Sequence, residues 1–176
     1  MGLNQLWAAW RNDYVVKATA EERTGESSGC VFCALSDLEP ASENGVLARR
    51  TKTFAVLNAY PYGSGHSLIL PRRHVAALSD LSAEERAELF ELLYEVTSAL
   101  DGAYHPDGLN VGANLGRAAG AGIPAHLHLH ALPRWSGDTN FMTAIAETRV
   151  IPESLETAWT KITTVLENPS SERPVD

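Results

Sequence analysis

A chain of 176 residues suffices for one domain with a substantial core. With 22 acidic against 14 basic side chains the formal net charge is -8, which argues against a general nucleic-acid binder, since that needs a basic face to displace counterions from phosphates. A small anionic ligand stays open, because a few local donors can hold a phosphate on an acidic protein. No run of 18 apolar residues exists, so no membrane span or membrane partner is expected. Met1-Gly-Leu-Asn-Gln-Leu6-Trp7 has neither the basic start nor the apolar core of a signal peptide, and Leu6 stands where a myristoylation motif wants Ser or Thr. The expected compartment is the cytoplasm.

In chain order, Leu6, Trp7, Trp10 and Tyr14 recur at helical spacing, predicting an amphipathic segment that packs on the body. A polar connector follows from Lys17 to Gly29. Cys30 and Cys33 are spaced C-x-x-C. In a reducing compartment that spacing suits a metal half-site, a redox pair or plain structure better than a disulfide. Val46–Arg49 and Thr53–Leu57 read as a hairpin, Asn58 to Gly65 as a turn, and Ser67–Leu70 as a strand ended by Pro71. Ser82 with Glu85 three residues on is a capping box. Leu89, Leu92, Leu93, Val96 and Leu100 then form an apolar helical stripe that Gly102 and Pro106 terminate. Leu109–Ala113 reads as a strand, Gly116–Gly122 as a Gly/Ala loop, and Ala125–Pro133 as a strand. A last helix runs from about Pro152 to Leu166, with a polar tail from Asn168. This order predicts an α+β fold: an antiparallel sheet with one long helix and a C-terminal helix.

The stretch Pro124-Ala-His126-Leu-His128-Leu-His130-Ala-Leu-Pro-Arg134 carries the chemistry. On a strand, residues two apart share a face, so three imidazoles line one side and Leu127, Leu129 and Ala131 the other. Such a face fits a solvated strand, zinc ligation or nucleophilic catalysis. Catalysis is favoured by what precedes it. The loop Asn114-Leu-Gly116-Arg-Ala-Ala-Gly120-Ala-Gly122 lets backbone N–H groups approach an anion, and Arg117 and Arg134 could add charge.

From about Gly29 to Asn140 the chain resembles the histidine-triad family of nucleotide hydrolases and transferases. The likeness rests on the H-x-H-x-H signature, on Gly29-Cys-Val-Phe-Cys33, on Asn58 with Gly65-His66 and Leu68-Ile-Leu-Pro71, and on Asn114. Leu6-Trp7-Ala-Ala-Trp10-Arg11 and Pro133-Arg-Trp-Ser-Gly-Asp-Thr-Asn140 are similar to the branch of dinucleoside tetraphosphate phosphorylases and hydrolases. The resemblance divides the chain into an N-terminal extension (1–28), a catalytic domain (29–140) and a C-terminal segment (141–176).

The resemblance also implies a mechanism. His128 attacks the α-phosphorus of a nucleotide or dinucleoside polyphosphate, and water or inorganic phosphate resolves the nucleotidyl-histidine. His130, Asn114 and loop N–H groups, with Gly120, Gly122 and Ile123 along the loop, would face the phosphates. His126 would orient its neighbours or bind metal, His66 would order the active histidine, and Asn58 would hold the ribose. Many relatives carry Gln or Ser where this chain has Gly122, which puts side-chain stabilisation of the leaving group in doubt. The alternatives are a phosphorylase, which uses phosphate as acceptor, a nucleotide-binding module with little catalysis, and a zinc hydrolase. Cys30 and Cys33, with His74 and His126 at the family's ligand positions, imply a structural zinc. No organic cofactor is expected. A homodimer is implied. Arg72 and Arg73 are read as solvated, and His105 as a loop residue. Trp135 would stack on a base or pack at a subunit boundary.

Overall fold

The structure, a computed structural model, describes residues 29–139 and 151–168. The amphipathic segment and most of the connector expected before Gly29, and the tail beyond residue 168, lie outside the described residues. Five antiparallel strands form one sheet in the order β1-β2-β3-β5-β4, as the alternation of short apolar runs and turns predicts. The strands β1 (Val46–Arg49) and β2 (Thr53–Leu57) make the expected hairpin, with a register irregularity between Val46 and Ala48. β3 (Ser67–Pro71) pairs with β2 over its whole length, from Thr53 opposite Pro71 to Leu57 opposite Ser67.

The long helix α2 spans Ala83–Tyr104. Its first turn is closed reciprocally: Glu85 N–H donates to Ser82 Oγ (3.2 Å) and Ser82 N–H to Glu85 Oε2 (2.7 Å). Gly102 does not stop it. The cost of an interior glycine, about 1 kcal/mol, is borne because Ala99 and Leu100 are buried around it. The chain leaves the helix at His105, which takes the left-handed conformation (φ 44°) just before Pro106. The C-terminal helix α3 (Leu155–Glu167) begins at Ser154, whose Oγ accepts from Thr157 N–H (3.1 Å), slightly later than the sequence suggests. Trp159 fastens α3 to the sheet by donating Nε1–H to the Val46 carbonyl (2.7 Å).

Both helices cover the same face of the sheet. Leu89, Leu92, Val96 and Leu100 of α2 meet Ile69, Leu127, Leu129 and Ala131 there, with Ile162 of α3. Fully burying one such leucine stabilises by about 1.5–3 kcal/mol. The opposite face carries a second, smaller cluster of Phe54, Val56, Leu68 and Leu70 under Phe32. Phe32 belongs to α1 (Val31–Ser36), a six-residue helix too short for periodicity to reveal.

The histidine strand is shorter as a ladder than its alternation predicts. β5 covers Leu129–Arg134, paired with β3 from Ile69 opposite Leu129 and with β4 (Gly108–Gly112) from Gly112 opposite His130. The ladder to β3 ends at Ile69 opposite Leu129; two residues on, the same register sets Leu127 opposite Pro71, which has no N–H to donate. Leu127 N–H turns to the Val75 carbonyl instead (2.6 Å). The in-out alternation nevertheless persists back to His126.

Candidate active site

All three imidazoles project from the face opposite the long helix, but only two open on a cavity. His128 and His130 line a space of about 300 Å³ with Phe32, Val56, Leu68 and Ile123 as apolar walls. Asn58, Asn114, Gly120 and Gly122 line the same space, so with Ile123 the structure brings together all five residues that the resemblance places at the substrate.

Hydrogen bonds fix which nitrogen of each ring carries the proton. His128 Nδ1 lies 2.8 Å from the His126 carbonyl, which can only accept, so Nδ1 holds the hydrogen and Nε2 keeps its lone pair. Burial lowers the pKa of His128, which keeps the ring neutral. A neutral ring with a free Nε2 is a nucleophile.

His66 is buried and fixes His130. Tyr62 N–H donates to His66 Nδ1 (3.0 Å), and Asn58 Nδ2 lies 3.3 Å from the same atom. Asn58 Oδ1 accepts from Tyr60 N–H (2.9 Å), so its Nδ2 is the donor end. With Nδ1 accepting, His66 must carry its hydrogen on Nε2, which lies 2.9 Å from His130 Nδ1. His130 therefore presents an N–H at Nε2, an atom that is buried with no hydrogen-bond partner. An unpartnered buried donor is costly unless a ligand meets it. Burial, and then repulsion from the charge that His128 would carry if protonated, lower the His130 pKa to about 4, so the ring is a neutral donor at ordinary pH.

His126 faces away from this cavity. Its Nε2 donates to the Pro71 carbonyl (2.8 Å), which leaves Nδ1 as an acceptor 3.3 Å from Cys30 Sγ and 3.6 Å from Cys33 Sγ. His74 Nδ1 lies 3.3 Å from Cys33 Sγ. One donor atom from each of Cys30, Cys33, His74 and His126 falls within 4.8 Å of the others. Two thiols and two imidazoles, one forced into the ligating tautomer, make a donor set that fits a tetrahedral zinc with no position left for substrate. The contribution of His126 to the site is its carbonyl, which holds His128 Nδ1–H.

The Gly/Ala loop is less available than its composition suggests. Ala119, Gly120 and Ala121 N–H groups all donate within the loop, to Gly116 O and Arg117 O, so these three are not phosphate donors. Gly122 has open space around the position of a Cβ, which leaves a gap where many relatives have a side chain. Arg117 is exposed and absent from the cavity wall, while Arg134 is held by Asp138 (2.7 Å from Nη2) and Asn110 (2.7 Å from Nη1). Arg72 and Arg73 lie away from the cavity and pair with Asp37 and Glu85, Arg73 remaining exposed to solvent. His105 caps α2 instead of lying in a loop.

Tyr62 was not marked by the sequence reading, yet it stacks on His130 (6.0 Å between ring centres, 18°) and leans on His66 (4.6 Å). Phe32, 5.4 Å from His128, was missed in the same way. Their signals were an aromatic in the turn before His66 and an aromatic inside the C-x-x-C.

The model of the HIT domain matches residues 39–137. The AP-4-A phosphorylase of Mycobacterium tuberculosis is 37% identical over 154 residues, covering 87% of this chain and 79% of that protein. Among solved structures, a hypothetical histidine triad nucleotide-binding protein from Sulfolobus tokodaii superposes with a TM-score of 0.64 at 30% identity, covering 79% of this chain and 93% of that one. A Zn-bound histidine triad family protein from Mycobacterium smegmatis gives 0.64 at 29% identity, covering 81% and 96%. The chain belongs to the HIT domain family.

Proposed function

We propose that this chain is a nucleotidyl hydrolase or transferase that cleaves the α-phosphate bond of dinucleoside polyphosphates through a nucleotidyl-His128 intermediate. The observation that carries this reading is the lone pair of His128 Nε2, held on a neutral buried ring at the wall of a cavity with an apolar end. A nucleoside would occupy the apolar end between Phe32 and Ile123, with Asn58 at the ribose. His128 Nε2 would form a bond to the α-phosphorus as the bond to the bridging oxygen breaks. The positive charge that develops on the ring is stabilised through Nδ1–H by the His126 carbonyl. The free N–H of His130 and the Asn114 amide suit the charge that gathers on the phosphate oxygens. Water or phosphate then attacks phosphorus, the P–N bond breaks, and His128 regains its lone pair.

A zinc held by Cys30, Cys33, His74 and His126 would be structural, fixing α1 and the His126 carbonyl in place. A homodimer is part of the proposal. β4 is an edge strand with Val111 half exposed, and Phe90 and Tyr94 are exposed on α2, a pattern that suits a second copy. No helix of the described residues is long and apolar enough to cross a membrane, which accords with the cytoplasm as the compartment.

The phosphorylase reading is favoured by the space at Gly122, which would admit inorganic phosphate as acceptor, and by the similarity to the mycobacterial AP-4-A phosphorylase. The test is a slow dinucleoside polyphosphate analogue, quenched in mid-turnover and digested for mass spectrometry. A nucleotidyl group on His128 is expected, and its absence, or an adduct elsewhere, overturns the proposal. Nucleoside diphosphate as product only when phosphate is added would assign the phosphorylase.

A further inference from the structure

A second cavity, of about 780 Å³, opens beside the first. Tyr62, Asn114 and His130 line both, so the two spaces are joined at the ring that presents the unpartnered N–H. Along β5 one face carries His130, Leu132 and Arg134 in succession, continuing the line from His128. From His130 to Arg134 the strand advances about 13 Å at ~3.3 Å per residue, enough to follow a substrate away from the reacting phosphorus.

We propose that this second cavity is a subsite for the distal nucleoside of the departing half of the substrate. The inference rests on the dinucleoside polyphosphate reading above and specifies what lies beyond the scissile bond. Three observations support it.

The first is stiffness. The turn that forms the outer wall is exposed, yet its backbone is held from several sides. Asp138 accepts from both the Arg134 guanidinium and Trp135 N–H, while Asp107 accepts from Ser136 N–H (2.6 Å). Arg134 also donates across to Asn110 of β4 (2.7 Å). An exposed turn fixed in this way is preorganised for a ligand.

The second is charge. Arg134 is the one Lys or Arg among the described lining residues, and Asp138 neutralises it face to face. A cavity balanced in this way suits an uncharged nucleoside better than a further run of phosphates.

The third is the aromatic wall. Trp135, half-buried and seated edgewise against Tyr104 (6.1 Å, 72°), lines the cavity with Leu132 and Pro133. An indole in a polar pocket offers a base the stacking surface that sequence-tolerant recognition uses.

The experiment uses the full chain with His128→Ala, so that ligands are bound and not turned over. Calorimetry compares a dinucleoside tetraphosphate with the matching nucleoside tetraphosphate, which lacks the distal nucleoside. The dinucleotide is expected to bind about tenfold more tightly, the size one stacked base supplies. Adding Trp135→Ala should remove that preference while leaving nucleoside tetraphosphate affinity within about twofold, and Trp135→Phe should restore most of it. Asp138→Ala, which frees the turn, should weaken only the dinucleotide. Equal affinity for the two ligands before mutation, or equal losses for both in the variants, overturns the subsite and leaves the parent reading standing. If neither ligand binds, the parent reading fails and the subsite with it.

Discussion

The two faces of the sheet are built from the same strands and do opposite things. On one side of the chain around β5, Leu127, Leu129 and Ala131 enter a closed apolar core beneath α2 and α3. On the other, no long helix covers the histidines: His126 and His128 lie against Phe32 of the short α1, and His130 against Tyr62 and His66. A period of two thus separates stability from chemistry along the six residues His126 to Ala131. Changes on one face should move folding, and changes on the other should move rate.

The sharpest way to break that separation is at His128. His128→Gly is expected to lower turnover of a dinucleoside polyphosphate at least roughly 10³-fold while the melting temperature moves little. A variant retaining a tenth of the rate would remove His128 from the nucleophile role. On the other face, Leu92→Ala should cost about 2–5 kcal/mol in denaturant unfolding, with kcat per folded molecule preserved. A large fall in kcat there would show that the helix-covered face reaches the site.

One position joins the two faces. Gly65 sits at φ 70°, and a Cβ there would come within 2.7 Å of Tyr104 Cε2 at the end of α2. Gly65→Ala should therefore destabilise by about 1–3 kcal/mol, and it should also lower kcat by displacing the neighbouring His66 from His130. Stability loss alone, with kcat intact, would separate the turn from the site.

The smallest effect is in pH. A histidine held at about 4 when folded, against about 6.5 when unfolded, binds its second proton more readily in the unfolded chain. The stability that His130 contributes is thus complete above about pH 6.5 and is lost as pH falls toward 4. The acid limb of kcat/KM should likewise lie well below 6.5. A limb centred near 6.5 would mean that His130 titrates as a solvated ring.

Much of this was legible in the sequence because it depends on spacing within a few residues. The capping box at Ser82 and Glu85, the stripe of α2, the hairpin and the face shared by the three histidines are all local patterns. What the sequence hid is set by contacts across distance or by the backbone. His66 meets His130 across 64 positions. The β5 ladder stops at Leu129, short of the point where its partner strand ends in Pro71. The loop before His126 looks like an anion cradle in composition, yet three of its amides bond internally. α1 holds too few residues to show a period, although it supplies both Phe32 and Cys33.

The bond from Tyr62 N–H to His66 Nδ1 has a reach out of proportion to its size. A peptide unit cannot give up its hydrogen, so it orients two imidazoles in series, much as the end of a row of dominoes decides which way each must fall. The electrophilic end of His130 is therefore chosen at a turn on another strand, before any substrate arrives. Replacing the residue after that amide would leave it in place, whereas a peptide flip at Tyr62 would reverse the polarity of both rings at once.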